Sequence, residues 1–383
     1  MTPSKNIQMV DLQTQYERLR PQIDPALQVI LSSAQFINGP AVSAFREHLE
    51  KYLNVKHVIP CANGTDALQI AMMALEFKAG DEIIVPSFTY VATLEVIALL
   101  GLTPVPVDVD KLTFNITADI VKAAITPRTK AIVPVHLFGQ SVDMEAIMAL
   151  AKAHNLYVIE DNAQAIGADY TFADGTKAKT GTIGHIGCTS FFPSKNLGCY
   201  GDGGAIMTND DDLAAKLRSI ANHGQSKTRY YHDSIGVNSR LDSLQAAILD
   251  IKLAHLDDFN HRRNVVADTY TTAFNKAIPQ HVITPSVHPQ TNHVYHQYTL
   301  VLQNPAHREA LQKHLSEKGI PSMIYYPVPV YKQLAYSHYV PVGFELPVTE
   351  YLCERVFSLP IHTEMAPETA QYICEQVIAF FNA

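Results

Sequence analysis

From Lys56 to about Ile206, short apolar and β-branched runs alternate with longer stretches whose apolar positions recur at helical spacing. The runs His57–Cys61, Glu82–Pro86, Thr103–Asp108, Ala131–His136, Leu156–Glu160, Gly187–Phe192 and Gly204–Met207 predict strands. Helices are predicted between several of them, over Thr65–Phe77, Thr89–Leu100, Ile116–Ala124 and Asp143–His154. Strands and helices alternating in this way read as βαβ units on a mostly parallel sheet. Crossovers in such a sheet are right-handed, so a ligand site is expected at the strands' C-terminal ends.

A long helical stretch follows from Leu241 to about Lys276, with Leu244, Ala247, Ile248, Ile251 and Leu256 on one apolar face. Beyond Pro279 the texture changes. Prolines at 285, 289, 305, 321, 327, 329, 341, 347, 360 and 367 separate a strand over Tyr298–Leu302 from helices near 306–318 and 367–382. This predicts a smaller C-terminal α+β domain, with the long helix bridging the two. The expected division is a large α/β domain over 1–255, including an N-terminal segment, and a small domain over 256–383. No internal repeat is visible.

Composition narrows the function. The chain has 383 residues, 47 % of them hydrophobic, enough for a sizeable core. Its 29 Lys and Arg against 37 Asp and Glu give a net charge of −8, which argues against nucleic-acid binding by clustered cations. Charged residues make up 17 %, below the usual quarter or so, which leans towards an oligomer. The five cysteines, 61, 188, 199, 353 and 374, form no C-x-x-C, so neither a zinc site nor a disulfide framework is expected. A reducing cytoplasm is the simplest home. Met1–Asp11 carries Lys5 but no apolar core, so no signal peptide is expected. The longest apolar run, Val96–Val107, is interrupted by Gly101, Pro104 and Pro106 and is too short to span a membrane. Seventeen histidines form no H-E-x-x-H or similar cluster, so no metal is expected.

Four segments carry candidate chemistry. In Cys61-Ala62-Asn63-Gly64-Thr65-Asp66 a strand turns through glycine into an apolar helix, whose free N–H groups either suit a phosphate or are simply capped. In Leu156–Gln164 an apolar strand delivers Asp161 to the sheet edge, where it either caps a helix or pairs with a ligand N–H. Thr189-Ser190-Phe191-Phe192-Pro193-Ser194-Lys195, followed by Gly198, Gly201, Gly203 and Gly204, sets a lysine among apolar and glycine residues. Such surroundings depress a lysine's pKa and make it a competent Schiff-base nucleophile. Gly236–Ala247 brings Arg240 to the start of the long helix, as an ion-pair partner or as a bidentate clamp for an anion.

Together these segments resemble the pyridoxal-phosphate-dependent sugar-nucleotide aminotransferases, the DegT/DnrJ/EryC1/StrS group. The likeness runs from Val10-Asp11-Leu12 to Ser358-Leu359-Pro360-Ile361-His362 and is densest over Thr189–Asp210. It implies the aspartate aminotransferase-like fold (fold type I), a homodimer with shared active sites, and pyridoxal 5'-phosphate as cofactor. By resemblance, Lys195 would hold the cofactor and later shuttle a proton. Asp161 would pair with the pyridinium nitrogen, Gln164 would lie on the ring's phenolic oxygen side, and Tyr90 would stack on the ring. Gly64, Thr65 and Ser190 would take the phosphate, with Asn238 reaching it from the neighbouring subunit.

The implied reaction moves an amino group from glutamate to a nucleotide-linked keto sugar in two half-reactions, without a metal. The wording Asn238-Ser239-Arg240-Leu241-Asp242 is similar to enzymes aminating C3. Cys61–Gln69, Thr189–Thr208 and His223-Gly224-Gln225 are especially similar to UDP-2-acetamido-2-deoxy-3-oxo-glucuronate aminotransferases of glycan or lipopolysaccharide synthesis. Arg240 and Tyr326 would then bind substrate, Arg240 at the uronate carboxylate. Tyr325 and Tyr331 depart from that subgroup in a stretch expected to face the sugar. The alternatives are a dTDP-3-keto-6-deoxyhexose 3-aminotransferase and a 4-keto sugar aminotransferase. Further off are a fold-type I desulfurase or decarboxylase, and a non-catalytic or regulatory relative.

Overall fold

The computed structural model describes residues 7–228 and 230–382. Residues 1–6, part of the stretch read for a signal peptide, lie outside the described residues. Two helices open the chain, α1 (Leu12–Ser33) and α2 (Pro40–Leu53), neither of which the pattern predicts. Pro21 and Pro25 sit inside α1 and disguise it, while Asp11 caps its first turn by accepting from Thr14 N.

The alternating region then builds β1 (His57–Cys61), α3 (Gly64–Ala74), β2 (Glu82–Pro86), α4 (Ala92–Leu99), β3 (Thr103–Val107), α5 (Ala118–Ala124) and β4 (Thr129–Ile132). It continues through α6 (Met144–His154), β5 (Tyr157–Asp161), the small hairpin β6 (Asp169–Thr171) and β7 (Lys177–Lys179), β8 (Ile186–Ser190), β9 (Gly204–Thr208) and α7 (Asp211–Ala221). Seven strands form one sheet in the order β1-β9-β8-β5-β4-β2-β3, parallel except for β9, which runs antiparallel to both β1 and β8. Because both faces are covered, neighbouring residues on one strand serve different cores. Ile83 and Val85 pack with α3 and α4, whereas Ile84 packs with α5 and α6.

The expected helix over Leu241–Lys276 is in fact two, α8 (Ser243–Leu253) and α9 (Leu256–Ala277). The break at Ala254–His255 carries no glycine or proline, so nothing local announces it. The remainder holds a second antiparallel sheet, β10 (Val282–Ile283), β11 (Tyr298–Leu302) and β12 (Val356–Leu359), with α10 (His307–Glu317), α11 (Pro347–Arg355) and α12 (Pro367–Asn382). Its core joins α9, β11, α10 and α12 through Tyr270, Phe274, Leu300, Leu311 and Val377. Among the described residues no helix is long and apolar enough to cross a membrane.

Candidate active site

The C-terminal ends of β5 and β8 lie side by side, with Asp161 opposite Cys188 and Ser190 two residues further on. Asp161 is buried, and its carboxylate is held from two sides. Thr93 Oγ1, in the first turn of α4, donates to Oδ2 at 2.7 Å, and Ala163 N donates to Oδ1 at 3.1 Å. The sequence reading missed Thr93, which lies 68 residues from its acceptor. A donor to a charged acceptor is among the stronger hydrogen bonds. If Asp161 pairs with the cofactor's ring nitrogen, as the resemblance implies, Thr93→Val should weaken cofactor binding by about ten- to a hundredfold, while Thr93→Ser, which keeps the hydroxyl, should stay near wild type. Equilibrium titration of the cofactor by absorbance checks both.

Lys195 follows β8 on a loop closed by Lys195 N donating to Phe192 O. Burial pushes its ammonium down to about 8, against the opposing pull of the Asp161 carboxylate. An amine of that pKa is partly unprotonated near neutrality and can attack a carbonyl. His296, also missed, is buried nearby, and its Nδ1 has no partner among the described residues. Burial, then the charges of Lys195 and Arg263, hold that imidazole well below its usual pKa and hence neutral.

Gln164 is oriented by Phe138 N, which donates to its Oε1 at 2.8 Å, so Nε2 turns to donate to the Tyr326 hydroxyl at 3.2 Å. Burial raises the Tyr326 phenol far above its ordinary pKa, and Asp161 and Tyr90 add to the effect. Tyr90 is exposed, with its ring 6.3 Å from that of Tyr326. The structure thus gathers Lys195, Asp161, Gln164, Tyr326 and Tyr90 around one centre.

Beside this centre, α3 begins at Gly64, with Asn63 capping it by accepting from Asp66 N at 2.8 Å. A Cβ on Gly64 would lie 2.7 Å from Cβ of Ser190, so only glycine lets the helix N-terminus approach that hydroxyl. Gly64, Thr65 and Ser190 therefore form a cradle of N–H and O–H groups of the kind that holds a phosphate.

Asn238 and Arg240 lie apart from this cluster. Ser239 between them accepts from Ala62 N at 3.0 Å, tying their loop to the back of the β1–α3 turn. Asn238 is exposed, and Arg240 lines a separate cavity of about 330 Å³ with Arg46 and Arg218. Tyr331, expected to face the sugar, does not: it is 2 % exposed, and its hydroxyl engages Glu350 and accepts from Leu346 N. Its ring meets Phe344 edge-on, with centroids 5.3 Å apart. Among the described residues no group of three or more His, Cys, Asp or Glu could hold a metal.

A buried amine of lowered pKa, a fixed carboxylate across from it and an anion cradle alongside fit a carbonyl-bearing, phosphorylated cofactor with a ring nitrogen. This is a pyridoxal 5'-phosphate-dependent transaminase of fold type I. More narrowly, the chain belongs to the DegT/DnrJ/EryC1/StrS aminotransferase family, whose sequence pattern matches residues 17–378. It is 45 % identical to the pleiotropic regulatory protein of Geobacillus stearothermophilus, over 98 % of this chain and 99 % of that one. It is also 45 % identical to the UDP-2-acetamido-2-deoxy-3-oxo-D-glucuronate aminotransferase of Pseudomonas aeruginosa, over 96 % and 98 % respectively. The crystal structure of DesV from S. venezuelae in complex with a ketimine intermediate superposes with a TM-score of 0.93 at 38 % identity, covering 99 % of this chain and all of that one.

Proposed function

We propose that this enzyme transfers the amino group of glutamate to C3 of a nucleotide-linked keto sugar, with UDP-2-acetamido-2-deoxy-3-oxo-glucuronate as acceptor, in glycan or lipopolysaccharide synthesis. The similarity to the Pseudomonas enzyme supports this substrate. So does Arg240, which lines its cavity and whose side chain makes no ion pair or hydrogen bond among the described residues, so that its guanidinium is left for an anion. Tyr326 meets the substrate from the Lys195 side.

The working unit in this reading is a homodimer in the cytoplasm, with the chain divided near residue 255. Asn238 and Arg240 reach the partner's site from a loop whose Tyr231 and Ile235 are exposed apolar residues suited to an interface. The five free, buried cysteines accord with a reducing compartment.

Pyridoxal 5'-phosphate, when bound, supplies the electron sink that lets a proton leave the carbon next to the transferred nitrogen. Around it, Gly64, Thr65 and Ser190 would bind the phosphate, and Asp161 would keep the ring nitrogen protonated. Tyr90 would cover a ring face, and Gln164, held by Phe138 N, would lie on the ring's phenolic oxygen side. Lys195 Nζ, a buried amine of lowered pKa, would be the group that holds the cofactor's carbonyl carbon and, once the substrate amine has replaced it there, would carry the proton to and from the substrate carbon. Glutamate leaves as its 2-oxo acid, and the sugar ketone leaves as an amine.

Arg240→Ala should lower kcat/KM for the 3-keto uronate at least about tenfold, the worth of one charge-assisted bidentate contact. A dTDP-3-keto-6-deoxyhexose, which lacks the carboxylate, should lose much less. Steady-state rates with each sugar under saturating glutamate check this. An equal loss on both, or a wild-type preference for the deoxy sugar, contradicts the uronate assignment.

A further inference from the structure

Lys252 lies on α8, is 1 % exposed, and pairs with no carboxylate among the described residues. Its Nζ donates to Gly198 O at 2.7 Å and sits 4.3 Å from the centre of the Tyr200 ring. Burying an ammonium without an acid is costly, and an apolar side chain would fill the same space more cheaply. What the lysine contributes is the bond to one peptide, three residues beyond Lys195.

That peptide belongs to a tight loop. Cys199 N donates to Phe191 O at 2.8 Å and closes the loop at its base. A Cβ on Gly198 would lie 2.3 Å from Pro193 O, so only glycine fits there. Gln245, seven residues before Lys252 and so on the same face of α8, accepts from Tyr200 N through Oε1 at 2.8 Å. Two side chains of one helix thus grip the loop at adjacent positions.

We propose that Lys252, with Gln245, is a positioning residue for Lys195: α8 clamps the 198–200 backbone and so fixes where the Lys195 amine is held. This rests on Lys195 being the cofactor-binding lysine. Burial of Lys252 pushes its own pKa down to about 8, in keeping with an ammonium held for geometry and not by an acid. Asp161 on β5 and His296 before β11 face Lys195, and neither variant below touches them.

The test uses the full-length chain stripped of cofactor. Capture of added pyridoxal 5'-phosphate is followed as growth of visible absorption across pH, with melting temperature as a control for folding. Capture needs the unprotonated amine, so in wild type the rate should rise with pH and level off above about 8. In Lys252→Met and in Gln245→Leu the loosened loop admits water, and the Lys195 pKa moves towards an ordinary lysine's. A shift of about one unit would slow capture at pH 7 about tenfold. Unchanged midpoints in the folded variants would overturn the proposal and leave Lys252 a packing residue. If Lys252→Met does not fold, Gln245→Leu decides alone. Capture that survives Lys195→Ala would instead overturn the reading of Lys195 itself.

Discussion

Lys195→Ala should lower kcat by about 10⁴-fold or more and remove the visible band of bound cofactor, while leaving the melting temperature near wild type. The magnitude is that of deleting a nucleophile on which every later step depends. No neighbour can substitute. His296 is buried and held neutral, and Lys252 is engaged with Gly198 O and the Tyr200 ring on α8. The stability expectation follows from the same burial. An ammonium whose folded pKa is depressed to about 8 carries a folding cost that sets in below the ordinary lysine pKa and is full below about 8, so at neutral pH its removal offsets the packing lost with the side chain. Single-turnover absorbance and a thermal melt together check the prediction.

Asp161→Asn should lower kcat about 10³-fold with a much smaller change in the KM for the keto sugar. The substitution keeps the shape of the group and its contact with Thr93, but removes the charge that, in the proposed reading, holds a proton on the ring nitrogen. Fixed charges of this kind, acting in a dry site, are worth about 10²–10³ in rate. Asp161 is 7 % exposed, so little water can replace it. Normalising kcat to the number of cofactor-loaded sites, counted by absorbance, distinguishes this from a general loss of fold, which would lower the active fraction but not the rate per loaded site.

Much of this could be read from the chain itself. The strands His57–Cys61, Glu82–Pro86 and Tyr298–Leu302 lie where the apolar runs put them, because short β-branched runs between turn residues admit few other readings. The run Ala131–His136 instead pairs over Thr129–Ile132. Pro134 cannot donate, and the sheet continues past it only as an isolated Val135–Asp161 bridge. Lys195, Asp161 and Gly64 were visible because glycines and a proline mark their loops and because they lie at strand ends. Thr93 and Lys252 were not. Thr93 gains its role from the first turn of α4 lying within hydrogen-bond reach of the end of β5, a contact between residues 68 apart in the chain. Lys252 reads as an exposed helical lysine until the 198–200 loop is laid over it. Tyr331 failed in the opposite sense: its sequence position suggested the sugar, and its contacts with Phe344, Glu350 and Leu346 N hold it in the interior.

In the proposed reading this chain moves an amino group between glutamate and a keto sugar through one lysine-held cofactor. A two-stage absorbance titration of the loaded enzyme tests it most directly. Glutamate should bleach the visible band, and UDP-2-acetamido-2-deoxy-3-oxo-glucuronate should then restore it with formation of one 3-amino sugar per site. A band that glutamate leaves unchanged, or that no nucleotide-linked keto sugar restores once bleached, would contradict the account.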